Sequence, residues 1–430
     1  MNAALATIPE ITPTAMQADG IKRTGEWYEQ CRREMECRKP LTQQVWRIFG
    51  LAGTGKSTTA KYAIAECGDD LNVLCGAFTG KAALVLTRKG TPTSTIHSMC
   101  YAVQEHSKEA IEKAKQELWE FRNTRPEDLT ELAWRAAIRT REEAVREMHR
   151  PSFILNTNGP VRDADLIVLE EVSMVGPEMA ADLMSFGKPI LVLGDPGQLP
   201  PIKGEGAFTQ AKPDVMLTEI HRQAAESPII QLATMAREGR WIPYDWYSDN
   251  VCKLRRGDLT PADLLHADQV LCGMNATRLM LNNAMRRASG RDSILPSGAD
   301  EKIICLRNQN DVGLINGGFL TLSNIDEGGE YGFRADIETD DGREIGRRTI
   351  YKGHFLDHVQ ADKDRLQRDH WHKRGMVEAT FGNAVTVHKF QGSQATNIVL
   401  FDDGFGRGAD RNKWLYTAVT RAEEGLCILA

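Results

Sequence analysis

The chain has no run of about 18 apolar residues, the minimum for a helix that crosses a bilayer. It also lacks a basic start followed by an apolar stretch, so a secreted product is not expected. There is no Cys-x-x-Cys pair, and the nine cysteines are an odd number at irregular spacing. That usage excludes a disulfide framework and points to reduced, mostly buried thiols in a cytoplasmic setting. Positive charge is not in excess. With 53 Lys and Arg against 59 Asp and Glu the net charge is −6, which does not advertise a polyanion binder but leaves room for a locally basic groove. Low-complexity tracts and short-period repeats are absent too. What remains is an ordinary globular composition, 41% hydrophobic and 26% charged, able to bury large cores. At 430 residues, and about 150 residues per domain, roughly two to four domains are expected.

The most informative segment is Gly50-Leu-Ala52-Gly53-Thr54-Gly55-Lys56-Ser57, which fits G-x-x-x-x-G-K-S/T throughout. An apolar run from Val45 to Phe49 reads as the strand feeding it, and Lys56 to Glu66 reads as the helix leaving it. Glycines let backbone N–H groups turn onto phosphate oxygens, and the helix N-terminus adds its positive end. Lys56 is expected to reach the outer phosphates and the Ser57 hydroxyl to ligate Mg²⁺, with Thr58 following in the helix. A nucleoside triphosphate site follows.

Leu71 to Phe78 reads as a second strand and Lys81 to Arg88 as the next helix. Leu166 to Leu169 and Ile190 to Leu193 have the short apolar texture of buried parallel strands. Strands alternating with helices around a phosphate loop imply a doubly wound α/β domain. From 106 to 150 the chain is densely charged with helically spaced apolar residues, as an inserted helical arm would be. A second α/β texture begins near Val215, with helices over Ile229 to Ala236 and Asn275 to Ala288 and a strand at Gln269 to Cys272. From Glu301 to about Ile350 short β-like runs alternate with turns. The α/β pattern returns at Asn383 and ends on a strand at Leu426 to Leu429.

Leu166 to Glu171 is a strand ending in paired acids, where a phosphoryl-transfer site needs one carboxylate near Mg²⁺ and another to polarise water. Glu170 takes the first role and Glu171 the second. Gln198, in Gly194-Asp195-Pro-Gly-Gln198-Leu-Pro-Pro201, is placed to sense the γ-phosphate or position water.

The order of these segments, with Phe78-Thr79-Gly80-Lys81-Ala82-Ala83 and Ser94-Thr95-Ile96-His97, resembles the superfamily 1B helicases of the RecD-like and phage Dda-type group. Later segments extend the resemblance. Leu217 to Gln223 looks like motif IV, Ala384 to Ser393 like motif V and Trp414 to Ala422 like motif VI. The resemblance implies an α/β fold of two RecA-like P-loop NTPase domains with parallel sheets. A mostly helical insertion and a small β-rich, SH3-like one would interrupt them. The expected division is 1–100 and 151–214 for the first RecA-like domain, 101–150 for the helical arm, 215–300 and 381–430 for the second, and 301–380 for the β-rich insertion. ATP would lie between the domains with Mg²⁺. By the same resemblance Arg222 and Arg421 reach the γ-phosphate, Gly392 approaches the nucleotide through its backbone, and Gln17 reads adenine, with Gln30 as its rival. Thr79, Lys81, Thr95 and His97 in the first half, and Thr386 and His388 in the second, match positions that line a single-stranded DNA path.

The expected activity is an ATP-dependent 5′-to-3′ DNA helicase, acting as a monomer in the cytoplasm on single-stranded and on forked or tailed duplex DNA. Replication or recombination proteins are the partners implied, with DNA replication, recombination and repair as the processes. Two rivals stand beside it: a small-molecule P-loop kinase, and an ATP-gated, non-unwinding DNA-binding subunit of a larger machine. His354, His358, His370 and His372 cluster in sequence; without cysteines at zinc spacing a polar surface is expected there rather than a metal site.

Overall fold

The computed structural model describes residues 12–104, 107–148, 152–200, 206–220, 225–309, 312–358, 362, 365–369 and 371–430. Helix α1 (Ala15–Glu36) opens on a capping box between Thr14 and Gln17 and buries Trp27, Tyr28 and Cys31. Strand β1 (Val45–Gly50) then leads through the glycine loop into α2 (Lys56–Cys67). β2 (Val73–Ala77), α3 (Gly80–Arg88), β3 (Thr93–Thr95) and α4 (Ile96–Cys100) follow. Next comes a two-stranded ribbon of β4 (Tyr101–Gln104) and β5 (Ser152–Leu155), paired antiparallel. Helices α5 (Lys108–Asn123) and α6 (Glu131–Glu147) rise from that ribbon, so the arm between β4 and β5 has a β base under its helices. β6 (Leu166–Glu170), β7 (Ile190–Gly194) and β8 (Val215–Leu217) complete a six-stranded sheet in the order β3-β2-β6-β7-β1-β8. All of its pairs are parallel. β6 and β7 carry continuous apolar runs because helices cover both faces of the sheet.

One expected boundary needs correction. The division at 214/215 gave β8 to the second half, but Ile48 to Gly50 pair with Val215 to Leu217, so β8 closes the first sheet. Three residues were too short a run to carry that information; long-range pairing decides it.

The second sheet adds β9 (Asp245–Ser248), β10 (Val251–Leu254) and β11 (Gln269–Cys272) to three later strands. Between the two groups the chain forms β12 (Glu301–Cys305), β13 (Phe319–Asp326), β14 (Gly332–Thr339), β15 (Glu344–Tyr351) and β16 (Ala379–Phe381). These five make an antiparallel sheet in the order β15-β14-β13-β12-β16 with its own apolar core. β17 (Ala384–Thr386), β18 (Ala395–Phe401) and β19 (Ala422–Leu429) return to the second sheet, whose order is β17-β11-β18-β19-β10-β9. Only β9 in it runs antiparallel. Among the described residues no helix is long and apolar enough to cross a membrane.

The histidine group is dispersed into the β-rich part. His354 bonds Glu378 at 3.0 Å, His358 bonds Thr380 at 2.8 Å, and the His372 ring stacks on Tyr331 at 3.9 Å. His370 lies outside the described residues. Burial, reinforced by Arg278 and Arg286, holds His358 neutral down to about pH 3. An unfolded imidazole titrates near ~6.5, so between these values the unfolded chain takes up a proton that the folded one refuses. This contribution to stability is full above that window and is lost as pH falls through it. Thermal melts at about pH 7.5 and about pH 5 should therefore show a lower midpoint in acid, and His358→Gln should flatten the difference. An equally steep fall in the variant would remove His358 as a cause.

Candidate active site between the two parallel sheets

β6, β7 and β1 are neighbours, so their carboxyl ends set three loops side by side. The loop after β1 is the glycine-rich one. Gly55 takes φ +73° as the N-cap of α2, a left-handed conformation that glycine adopts without a Cβ penalty. A Cβ on Gly50 would fall 2.6 Å from Thr54 Oγ1 and 2.9 Å from Lys56 Cγ, so only glycine lets the loop fold back on its strand. The Lys56 ammonium donates to the Gly50 and Leu51 carbonyls at 2.7 and 2.9 Å and lies 3.6 Å from Asp195.

The loop after β6 holds the paired acids. Ser57 Oγ donates to Glu170 Oε2 at 3.4 Å across the gap from α2. Burial, and then Glu171 beside it, push the Glu170 carboxyl up to about 7 against the pull of Ser57, Lys56 and Lys61. Glu171 sits at φ 52°, ψ 43°, left-handed for a residue with a Cβ. Such backbone costs on the order of 1–3 kcal/mol and gathers at functional sites.

The loop after β7 supplies Asp195 and Gln198. The hydrogen-bond network orients the Gln198 amide. Its nitrogen donates to Glu171 Oε2 at 3.1 Å and its oxygen accepts from Arg421 Nη2 at 3.3 Å. Arg421 follows the last helix (Gly408–Val419) of the second half and is buried, donating also to the Thr417 and Ser393 carbonyls at 3.2 and 3.4 Å. Gln198 thus bridges an acid of the first sheet and an arginine of the second.

Two further residues hold the halves together. The Tyr416 hydroxyl accepts from Ala52 N–H in the glycine loop at 2.8 Å and donates to Asp195 Oδ2 at 2.6 Å. A Cβ on Gly197 would meet the Tyr416 ring at 2.9 Å, so this contact also depends on a glycine. Leu199 N–H donates to Thr417 Oγ1 at 2.9 Å. Sequence reading assigned no role to Tyr416 or Asp195, although both stand inside segments quoted for the resemblance. An aromatic in a helix reads as core, and only its hydroxyl pairing across the two sheets distinguishes it.

Gln17 is buried against the back of the glycine loop, where its Nε2 donates to Thr54 O at 3.0 Å and its Oε1 accepts from Thr14 N–H at 3.0 Å. Its rival Gln30 lies near the other end of α1 and donates to Glu34 at 3.1 Å. Arg222 lies outside the described residues. Gly392 packs on the first half. Its Cβ position would be 2.9 Å from Ala82 Cβ and 3.2 Å from Thr79 Oγ1, so it abuts the start of α3.

The six residues expected on a strand path lie at the carboxyl ends of β2, β3 and β17. Thr79 and Thr95 cap α3 and α4, accepting from Ala82 and Ser98 N–H at 3.1 Å each. Thr386 Oγ1 accepts from Lys389 N–H at 3.3 Å. His97 packs among Phe78, Tyr101 and Phe153, and His388 against Phe405. Burial lowers the pKa of both imidazoles. Lys81 points elsewhere, into the junction with the β-rich sheet, 3.7 Å from Asp340 and 4.1 Å from the Phe319 ring centre.

Two parallel α/β sheets with a glycine phosphate loop, paired acids and an arginine from the opposite half define a P-loop NTPase of two RecA-like halves. The family comparisons are specific. Residues 37–253, just over half of the chain, match the AAA domain model, and residues 381–429 match the UvrD-like helicase C-terminal domain. The chain belongs to this AAA family, and the comparisons support its resemblance to the RecD-like helicases of superfamily 1B. It is 25% identical to the ATP-dependent RecD2 DNA helicase of Deinococcus radiodurans over 405 residues, 88% of this chain but 46% of that protein. The chain therefore spans about half the length of the curated relative it matches. Two Pif1 helicase structures share the fold. One, solved to explain DNA unwinding at forked duplex DNA by two coordinating copies, is 16% identical with a TM-score of 0.50, covering 98% of this chain and 92% of that one. The other, Bacteroides Pif1 bound to single-stranded DNA, is 16% identical with a TM-score of 0.50, covering 94% and 92%.

Removing the Tyr416 hydroxyl should loosen the join between the halves. Tyr416→Phe leaves Ala52 N–H and an Asp195 oxygen without their partner, at a cost of about 1–3 kcal/mol per orphaned group. A lower midpoint in thermal unfolding is expected; an unchanged midpoint would show that the contact carries no net stability.

Proposed function

We propose that this chain is an ATP-dependent DNA helicase that moves 5′-to-3′ along single-stranded DNA in the cytoplasm. The observation that carries the reading is Gln198, bonded at once to Glu171 of the first half and Arg421 of the second, in the loop whose Asp195 faces Lys56. Lys56 is the group for the outer phosphates, and its internal partners are carbonyls and Asp195, which ATP oxygens can replace. Glu171 is placed to accept a proton from the attacking water, which Gln198 orients. Arg421 stabilises charge as the γ-phosphoryl is transferred, and Arg222 is assigned the same work.

Ser57 and Glu170 suit Mg²⁺: two hard oxygens face each other, and a carboxyl held near neutrality by burial and a second acid would gain most from a cation. Held there by Ser57 and Glu170, the ion would supply positive charge that offsets the negative charge of the triphosphate. Gln17 buries its amide on the loop, which suits support of the loop as well as contact with a base. DNA is assigned to Thr79, Thr95, His97, Thr386 and His388, with Lys81 joining when released from Asp340. Single-stranded and forked DNA are the expected substrates because hydroxyls, amides and lysine hold phosphates without reading bases.

Lys56→Ala should abolish DNA-stimulated ATPase. Arg421→Ala should keep ATP binding while hydrolysis falls by about 10³–10⁵, the range for a well-placed arginine finger. Normal turnover in the first, or lost binding in the second, would overturn the assignments. Duplexes carrying a 5′ or a 3′ single-stranded tail test direction: unwinding is expected with the 5′ tail alone. ATPase stimulated by DNA without strand separation would favour the non-unwinding subunit instead.

A further inference from the structure

Helix α3 presents two cations on one face. Lys81 and Arg88 are seven residues apart, two turns, so both side chains point the same way. Each meets a carboxylate from the tip of the β14–β15 hairpin. Lys81 Nζ lies 3.7 Å from Asp340 Oδ2, and Arg88 Nη2 lies 3.1 Å from Asp341 Oδ2.

The tip is built to present those acids. Gly342 turns at φ +75°, and Thr339 bonds both the Asp341 carboxylate and the Arg343 backbone. Asp340 N–H is tied to Phe319 O at 3.2 Å. The Lys81 side chain is only 14% exposed and lies 4.1 Å from the Phe319 ring centre, so its ammonium needs an anion close by. Burial lowers it to about 8, with Asp340 holding it up. The neighbouring surface is close-fitting as well. A Cβ on Gly80 would lie 2.4 Å from Ile315 Cγ2. Between α3 and the tip there remains a cavity of about 300 Å³, lined by Lys81, Leu84, Phe319, Asp340 and Arg343 among others.

We propose that the Lys81–Arg88 face of α3 is a phosphate-binding surface for single-stranded DNA, and that the Asp340–Asp341 tip is its built-in competitor, displaced when DNA binds. The proposal rests on the DNA-binding reading above and adds Arg88 to the contact set. Carboxylates and phosphates make the same charge-assisted bonds to ammonium and guanidinium, so one can exchange for the other at the same cations. The cavity behind the tip leaves space into which a strand can enter as the hairpin lifts. A purely structural strut predicts the opposite: cutting it would disorder Lys81 and weaken DNA binding.

The test compares the full chain with an Asp340→Asn, Asp341→Asn double variant, isosteric at both positions. Fluorescence anisotropy with oligo-dT is expected to show the variant binding about 2- to 30-fold tighter, from two partly exposed ion pairs no longer competing. Amide hydrogen exchange should rise across residues 339–343 when oligo-dT is added to the wild type, and rise in the variant without DNA. If the wild type binds oligo-dT and the variant binds no tighter, or the tip keeps its protection on DNA binding, the competitor is overturned while the DNA reading stands. If neither protein binds, the DNA reading itself falls and takes this proposal with it.

Discussion

A single closed circuit of hydrogen bonds and one ion pair holds the glycine loop, the loop after β7 and the last helix in one geometry. The Lys56 ammonium rests on the Gly50 and Leu51 carbonyls and faces Asp195; Asp195 accepts from Tyr416; Tyr416 accepts from Ala52 of the glycine loop. Asp195 also accepts from Gly197 N–H at 2.9 Å, which fixes its own loop. Buried charge explains why no member can shift alone. Asp195 is almost fully buried, and a buried carboxylate stripped of a partner is far costlier than the bond it loses. The circuit therefore ties the glycine loop and the loop after β7 to the last helix of the second half.

The same economy recurs around the cleft. Among the described residues, four groups suited to a phosphate or a base already have partners within the protein. Lys56 has Asp195, Arg421 has Gln198 and two carbonyls, Gln17 has Thr14 and Thr54, and Lys81 has Asp340. A ligand that takes one of these groups must release its partner, and the partners belong to different elements. Ligand binding at these groups is then an exchange of partners, and its energy is the difference between two sets of contacts.

How much of this was legible in the sequence depends on range. The glycine loop, Glu170–Glu171 and the parallel α/β alternation are local: eight contiguous residues carry the loop, and runs such as Leu166 to Leu169 are buried on both sides. The placing of the three loops at adjacent strand ends comes from the strand order, which brings β1 beside β7. Long-range pairing was not legible. Val215 to Leu217 is too short to say which sheet it joins, and the ribbon under the helical arm is formed by two four-residue strands on either side of it. Side-chain destinations were hidden for the same reason. Lys81 sits in a segment resembling a strand-path motif, yet its ammonium is set by Asp340 and Phe319, more than 200 residues away by sequence. Tyr416 looks like core until its hydroxyl is seen to span the halves.

Four consecutive residues after β17 join these separate contacts. Phe390 packs against Phe319 of the β-rich sheet at 6.2 Å and lies 5.6 Å from the Lys81 ammonium. Gln391 donates to Leu199 O at 3.1 Å, next to Gln198. Gly392 abuts Thr79 and Ala82 of α3, and Ser393 O accepts from Arg421. The segment is buried and turns at Gly392 with φ +74°, so it has little room to bend internally. A short rigid turn that touches the arginine, the sensor loop, the start of α3 and the β-rich insertion cannot change one contact and keep the other three. Arg421 and the surface where Thr79 and Lys81 meet the insertion are therefore linked through one short turn. That places the interdomain cleft one short turn away from the residues proposed for the strand path and from the Asp340–Asp341 tip beside them.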